Sequence, residues 1–65
     1  MTYEFILKTR PSQYGEWEVK YNCFKVPERE FERVKAKYEK FVVGMNCLLL
    51  INKCDDEGNF IEVIQ

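Results

Sequence analysis

The feature that most constrains this fold is the segment from Val26 to Gly44, which has the pattern of one amphipathic helix. Its apolar side chains recur at the three- and four-residue spacing that places them on one side of a helix. They are Phe31, Val34, Tyr38, Phe41 and Val42. Pro27 suits the first position of a helix, where no backbone donor is needed, and glycine is common just beyond a helix C-terminus. The pattern therefore predicts a single helix across this segment.

Two segments that precede the helix alternate between apolar and polar residues, as strands do. In Tyr3 to Lys8, the apolar face is formed by Tyr3, Phe5 and Leu7. In Glu16 to Phe24, it is formed by Trp17, Val19, Tyr21 and Cys23. Because Pro11 and Gly15 favour a turn between them, we expect an antiparallel hairpin with both apolar faces in the core. Tyr14, in that turn, is expected to be exposed.

Two further strand-like segments follow the helix. Cys47 to Lys53 is apolar on both faces, which is typical of an inner strand. Asp55 to Asn59 has the composition of a hairpin loop, with its glycine at a position that favours a left-handed backbone. Phe60 to Ile64 closes this hairpin, and simple alternation predicts Ile61 and Val63 on the face opposite the residues at its two ends.

This order, β-β-α-β-β, predicts an α+β fold: a four-stranded antiparallel sheet with one helix packed on one face. Residues 1–65 should form a single domain, since a chain this short has no room for a second core. One helix covers only one face of a sheet, yet the chain has apolar residues for both faces. The residues in excess are Ile6, Phe24, Leu48 and Leu50, or else the alternate set. Because large apolar patches are uncommon on monomers, we expect a homodimer.

Composition narrows the functional classes. Apolar residues make up 46% of the chain and aromatic residues 15%, which excludes a disordered tail. The net charge of −1 gives no general attraction to nucleic acid or to acidic membranes. No apolar run approaches the roughly 18 residues that span a bilayer, and the first residues lack the pattern of a secretory signal. We therefore expect a cytoplasmic protein that does not bind a membrane.

The residues give little support for catalytic or cofactor chemistry. The chain has no histidine, the commonest general base and metal ligand. Cys23, Cys47 and Cys54 form an odd set in a chain without an export signal, so we expect free thiols. The glycines lie too far apart for a phosphate-binding loop, and the acidic residues at 55–57 lack calcium-loop spacing. We predict no enzymatic activity, no cofactor and no metal. The alternative is thiol or metal chemistry at Cys47 and Cys54.

The charges of the helix segment divide into two flanks. At about 100° per residue, one flank is basic and contains Arg29, Arg33, Lys37 and Lys40. The other flank is acidic and contains Glu28, Glu32 and Glu39, interrupted by Lys35. Such a division is compatible with a solvated surface, with a protein partner of complementary charge, or with nucleic-acid phosphates along the basic flank.

We interpret the chain as a small non-enzymatic protein-interaction module, an adaptor or inhibitor, that forms homodimers and binds a protein partner of unknown identity. Its size is typical of the adaptors and inhibitors that phages and other mobile elements encode, so we regard such an origin as compatible with the sequence. The alternative is a nucleic-acid-binding module that uses the basic flank of the helix.

Overall fold

The computed structural model of the chain describes residues 1–65 and contains one sheet and one helix. Its elements are β1 (Thr2–Thr9), β2 (Glu18–Pro27), α1 (Phe31–Glu39), β3 (Cys47–Cys54) and β4 (Phe60–Val63). The strands lie in the order β2-β1-β3-β4, and every neighbouring pair is antiparallel. This confirms the predicted α+β fold. The inner strands are β1 and β3, of which β3 was predicted to be inner.

The core lies between α1 and the face of the sheet that α1 covers. Eight of the 65 residues are buried: Tyr3, Phe5, Leu7, Val26, Val34, Leu49, Ile51 and Cys54. Phe31 packs its ring 4.5 Å from that of Tyr3 and 5.6 Å from that of Phe5, between centroids. No helix packs against the opposite side of the sheet, which we call the open face and on which Cys54 is the one buried residue.

Two β-bulges in β2 decide which of its residues reach each face. Tyr3 pairs with Val26 whereas Phe5 pairs with Cys23, so β2 has an extra residue opposite Glu4. That irregularity includes Lys25, the only residue other than glycine with a positive φ, at 52°. A side chain is disfavoured there because its Cβ approaches the backbone, whereas glycine meets no such clash.

Replacing Lys25 with glycine should therefore stabilise the fold, by about 1 kcal/mol at most, because it relieves the left-handed backbone. Asn22→Gly, in a regular part of the same strand, should instead cost about 0.5–1 kcal/mol. Urea unfolding of the two variants measures both changes. A loss of stability in Lys25→Gly would show that the lysine side chain contributes more than the strain removes.

The second bulge corrects the predicted faces of β2. Leu7 pairs with Tyr21 but Lys8 pairs with Val19, so one extra residue separates the two positions. Val19 therefore shares the open face with Lys8, while Tyr21 stays on the helix side. Strict alternation wrongly predicted Val19 on the same face as Tyr21, because a bulge reverses the side on which the following residues lie.

Trp17 is not a core residue, contrary to the prediction. It precedes β2 and is 37% exposed, with its ring 4.4 Å from the guanidinium carbon of Arg10. Arg10 also donates from Nε to the side-chain oxygen of Asn46, at 3.0 Å, and from Nη2 to the carbonyl of Met45, at 3.1 Å. The tryptophan thus covers an arginine that joins the β1–β2 turn to the segment before β3. Tyr14 is 89% exposed, as predicted.

The helix is shorter than the predicted span from Val26 to Gly44. Pro27 is extended and pairs with β1, and a 3₁₀ turn, Glu28–Glu30, leads into α1. The chain leaves α1 after Glu39, and Val43 already has extended backbone, with φ −124° and ψ 119°. Gly44, at φ 73°, opens a second 3₁₀ turn, Gly44–Asn46, instead of capping the helix.

The pairing of β4 also differs from simple alternation. Phe60 pairs with Cys54 and Val63 with Asn52, and an irregularity separates the two pairs. Because Cys54 and Asn52 share the open face, Phe60 and Val63 lie there together. The prediction that Val63 would lie opposite Phe60 is wrong for this reason.

The burial pattern predicts that the same isoleucine-to-valine change has different effects on the free energy of unfolding at two positions. Ile51 is fully buried in β3, whereas Ile61 in β4 is 44% exposed. Ile51→Val should lower the free energy of unfolding by about 1 kcal/mol, since the lost methylene leaves a cavity. Ile61→Val should change it by less than about 0.5 kcal/mol. Equal losses, measured by urea unfolding, would contradict the assignment of the core.

Candidate interaction surfaces

The structure places the seven charged residues predicted as interaction sites on three local elements. Arg33, Lys37, Glu32 and Glu39 lie in α1; Arg29 and Glu28 lie in the preceding 3₁₀ turn, and Lys40 follows the helix. All seven are exposed. Within α1 the spacing keeps Arg33 and Lys37 on one flank and Glu32 and Glu39 on the other. The division of charge therefore persists, over a shorter helix than predicted.

Two of these charges contact other residues of the chain. Arg33 forms an ion pair with Glu30, one turn earlier. Glu28 accepts a hydrogen bond from the hydroxyl of Tyr3, at 3.5 Å. Lys37 takes part in neither of the two ion pairs of the chain. Lys35, which also lies in α1 outside both ion pairs, is only half-exposed, so the basic charge of α1 most available to a partner is that of Lys37.

Lys37 also borders an aromatic groove between α1 and β2. The groove has an empty volume of about 410 Å³ and is lined by Tyr21, Lys37, Tyr38 and Phe41. The rings of Tyr21 and Phe41 lie 5.8 Å apart, and both side chains are more than two-fifths exposed. Partial burial raises the pKa of the Tyr38 phenol, which therefore stays neutral at physiological pH. The groove thus combines an apolar floor with one cation at its border.

Sequence reasoning assigned the components of this groove differently. Tyr21 and Phe41 were predicted as core residues, because both fit the apolar periodicity of their segments. The early end of α1 places Phe41 at the rim, and Tyr21 lies on an edge strand that the short helix covers only partly. Nothing in the local pattern indicates where the helix ends, so the groove was missed.

The open face carries a second exposed surface, which is largely apolar. Its apolar residues are Ile6, Val19, Phe24, Leu48, Leu50, Phe60 and Val63. Phe24, Phe60 and Val63 are each more than three-fifths exposed. The first predicted set of excess residues, Ile6, Phe24, Leu48 and Leu50, lies together here. Val19, Phe60 and Val63 were missed, because bulges move them onto this face.

Charged and polar residues interrupt the open face in an ordered way. On β1, Glu4, Ile6 and Lys8 point to this side in succession, and their partners on β3 are Asn52, Leu50 and Leu48. Asn52 donates a side-chain hydrogen bond to Glu4, at 3.2 Å. Neither Glu4 nor Lys8 forms an ion pair within the chain. An acidic end and a basic end therefore flank an apolar centre.

A shallow cleft at the acidic end of the open face holds the one buried thiol. It has an empty volume of about 440 Å³ and is lined by Glu4, Phe24, Lys25, Cys54, Glu57 and Gly58. Burial, and then the nearby carboxylates of Glu4 and Asp55, raise the pKa of the Cys54 thiol. The thiol is therefore less ionised than an ordinary cysteine, which makes it a weaker nucleophile at neutral pH.

The three cysteines are free and lie apart. Cys47 and Cys54 are the first and last residues of β3, about 23 Å apart at the usual rise per residue. They also face opposite sides of the sheet. The structure therefore does not bring together the two thiols of the alternative catalytic hypothesis. No three Cys, Asp or Glu side chains are grouped so that they could hold a metal ion.

The β3–β4 loop is organised by one carboxylate. Asp55 accepts hydrogen bonds from the backbone N–H groups of Glu57 and Asn59, both at 2.9 Å, and from the Asn59 side chain at 3.2 Å. These bonds, chiefly the one from the Asn59 backbone, hold the pKa of Asp55 below its ordinary value of 3.8. Gly58, at φ 91°, completes the turn as predicted. The acidic loop thus has a local structural role.

Because the pKa of Asp55 is lower in the folded state, the ionised Asp55 carboxylate stabilises the fold at pH values above its unfolded-state pKa. It is lost as the pH falls through the lower, folded-state value. We expect the melting temperature of the parent chain to fall more between pH 7 and pH 2.5 than that of Asp55→Asn, which keeps an acceptor oxygen without the charge. Glu57→Gln, whose side chain makes no hydrogen bond, is the control and should behave like the parent. Equal losses in all three chains would exclude this contribution.

Comparison of the chain with protein-family models, with curated proteins and with solved structures finds no significant match in any of the three. No helix has the length and apolar character that crossing a membrane requires.

Proposed function

We propose that this chain is a non-enzymatic protein-interaction module, an adaptor or inhibitor, that binds a protein segment in the groove between α1 and β2. The observation that carries this proposal is the position of Lys37, which belongs to the basic flank of α1 and also borders the aromatic groove. The expected partner presents an apolar side chain next to a carboxylate.

The groove has the composition that protein interfaces favour at their centres. Tyrosine and other aromatic side chains give large contact areas with little loss of conformational freedom, and they are enriched among residues that dominate binding energy. Tyr21 and Phe41 offer such rings, already partly packed against each other. A carboxylate beside the bound apolar group would meet Lys37, which adds orientation and association rate.

The separated charges of α1 support the same proposal. Glu32 and Glu39 lie on the flank away from Lys37, so an acidic partner is attracted to one side of the helix and repelled from the other. This arrangement selects the direction from which a partner approaches. The acidic flank and the pairing of Arg33 with Glu30 weaken the alternative, a nucleic acid along the basic flank, since a polyanion would meet both.

The non-enzymatic part of the proposal is supported by the chain's side-chain chemistry. There is no histidine, and the Cys54 thiol has a raised pKa. Cys47 lies at the other end of β3. A nucleophile with an adjacent base, the usual requirement of covalent catalysis, is not formed by these residues.

The proposal is tested by quantitative capture of proteins from an extract of the native host. Lys37→Glu and Phe41→Ser should each reduce recovery of the bound partner on the order of tenfold, because the first reverses the charge and the second removes one aromatic ring of the groove. The matched controls are Lys35→Glu, an equal charge change on the same helix, and Tyr14→Ser, an exposed aromatic residue in a distant turn. Both controls should retain the partner.

Recovery that is insensitive to the two groove variants would contradict the proposal, as would the absence of any partner specific to the parent chain. Fluorescence anisotropy with labelled single-stranded and double-stranded oligonucleotides at low salt tests the alternative. Salt-dependent binding of nucleic acid that Lys37→Glu abolishes would favour the alternative over a protein partner.

A further inference from the structure

The open face lies on the side of the sheet away from the groove, and we propose that it binds the open face of a second copy of this chain around a two-fold axis. In this arrangement the axis lies in the gap between the two sheets, perpendicular to the strands and directly over Ile6 of β1. The two sheets stack face to face, and both helices point outward.

The charge pattern of β1 favours this arrangement. Glu4 and Lys8 lie two residues on either side of Ile6 and share its face. A two-fold axis over Ile6 reverses the direction of the partner's β1, so that Glu4 of each copy faces Lys8 of the other. The surface is therefore complementary to itself, as a two-fold interface requires.

The separation of Glu4 and Lys8 allows ion pairs between two copies but not within one copy. Four residues along a strand separate Glu4 from Lys8 by about 13 Å, which is too far for an ion pair in the same chain. Packed sheets lie about 10 Å apart, a gap that a glutamate and a lysine can span together. The lysine has no ion-pair partner in the chain. A second copy would supply one.

The exposed apolar side chains of the open face also favour a second copy. All four strands contribute to this face, and Phe24, Phe60 and Val63 on it are each more than three-fifths exposed. Small domains that lack disulfides or a metal commonly depend on oligomerisation for stability. Here the cysteines are free, and only eight residues are buried. A second copy would add a second apolar layer beneath the sheet.

Sedimentation equilibrium of the purified chain tests the proposal, with protein concentrations from about 1 to about 200 µM. The parent chain should approach twice its 7.9 kDa mass at the upper end of this range. Glu4→Lys places two lysines opposite each other, and Lys8→Glu places two glutamates opposite each other. Each single change should raise the dissociation constant by roughly tenfold or more. The double change, Glu4→Lys with Lys8→Glu, restores opposite charges and should return it to within about threefold of the parent value.

The restoration by the double change distinguishes the interface from a loss of folding, and circular dichroism of each variant checks the fold directly. If a single reversal unfolds the chain, Glu4→Gln and Lys8→Gln replace it, and each should weaken the dimer by a smaller factor. A parent chain that stays monomeric at about 200 µM would overturn the proposal. So would a dimer that neither single change weakens, or one that the double change does not restore.

The capture experiment tests the proposed function and the sedimentation experiment tests the dimer, so either proposal can be rejected without the other. A monomeric parent chain that still loses its partner on Lys37→Glu would reject the dimer and keep the proposed function. If the charge reversals weaken and restore the dimer as expected, but the chain captures no partner through the groove, the dimer is kept and the proposed function is rejected.

Discussion

The structure depends on a mismatch in size between its helix and its sheet. One helix of nine residues lies against a sheet of four strands and is too short to cover it. Such a helix is about 14 Å long and can bury side chains on only one face of the sheet. The core that results is small, with Phe5 and Ile51 fully buried at its centre. The same mismatch leaves the open face without cover and leaves the groove beside Tyr21 and Phe41 incompletely filled. Both proposed interaction surfaces therefore arise from the length of one element.

The β-bulges determine which side chains of β2 lie on the exposed face of the sheet. Each extra residue in β2 changes the face on which its neighbours lie, so that Val19 and Phe24 join the open face while Tyr21 and Cys23 remain beside the helix. The left-handed backbone of Lys25 is part of this arrangement. Bulges of this kind also increase the local twist of a strand, which makes the edge of the sheet a poorer template for uncontrolled pairing. The irregular edge favours contact through a face.

Periodicity was sufficient to predict the fold class, the two hairpins and the inner position of β3, since these follow from side-chain alternation and from the need to cover an apolar strand. It did not determine the order of the strands in the sheet. It also indicated four residues of the open face. Periodicity was insufficient wherever the chain departs from regular geometry. It extended α1 past Glu39, and it assigned Trp17, Val19 and Val63 to the wrong surroundings. Bulges and helix ends depend on pairing across the sheet, which no local pattern reports.

Two surfaces on opposite sides of the sheet would have different physical roles. An apolar face supplies association energy but little directional information, because burial is not directional. The charges at Glu4 and Lys8 supply the register, since a shift of either copy along β1 would place a charge against an apolar residue or against a like charge. With the two open faces together, the two grooves lie on the outer sides of the dimer, and a partner with two binding segments would gain affinity from both. A small chain would then bind with the avidity of a larger one.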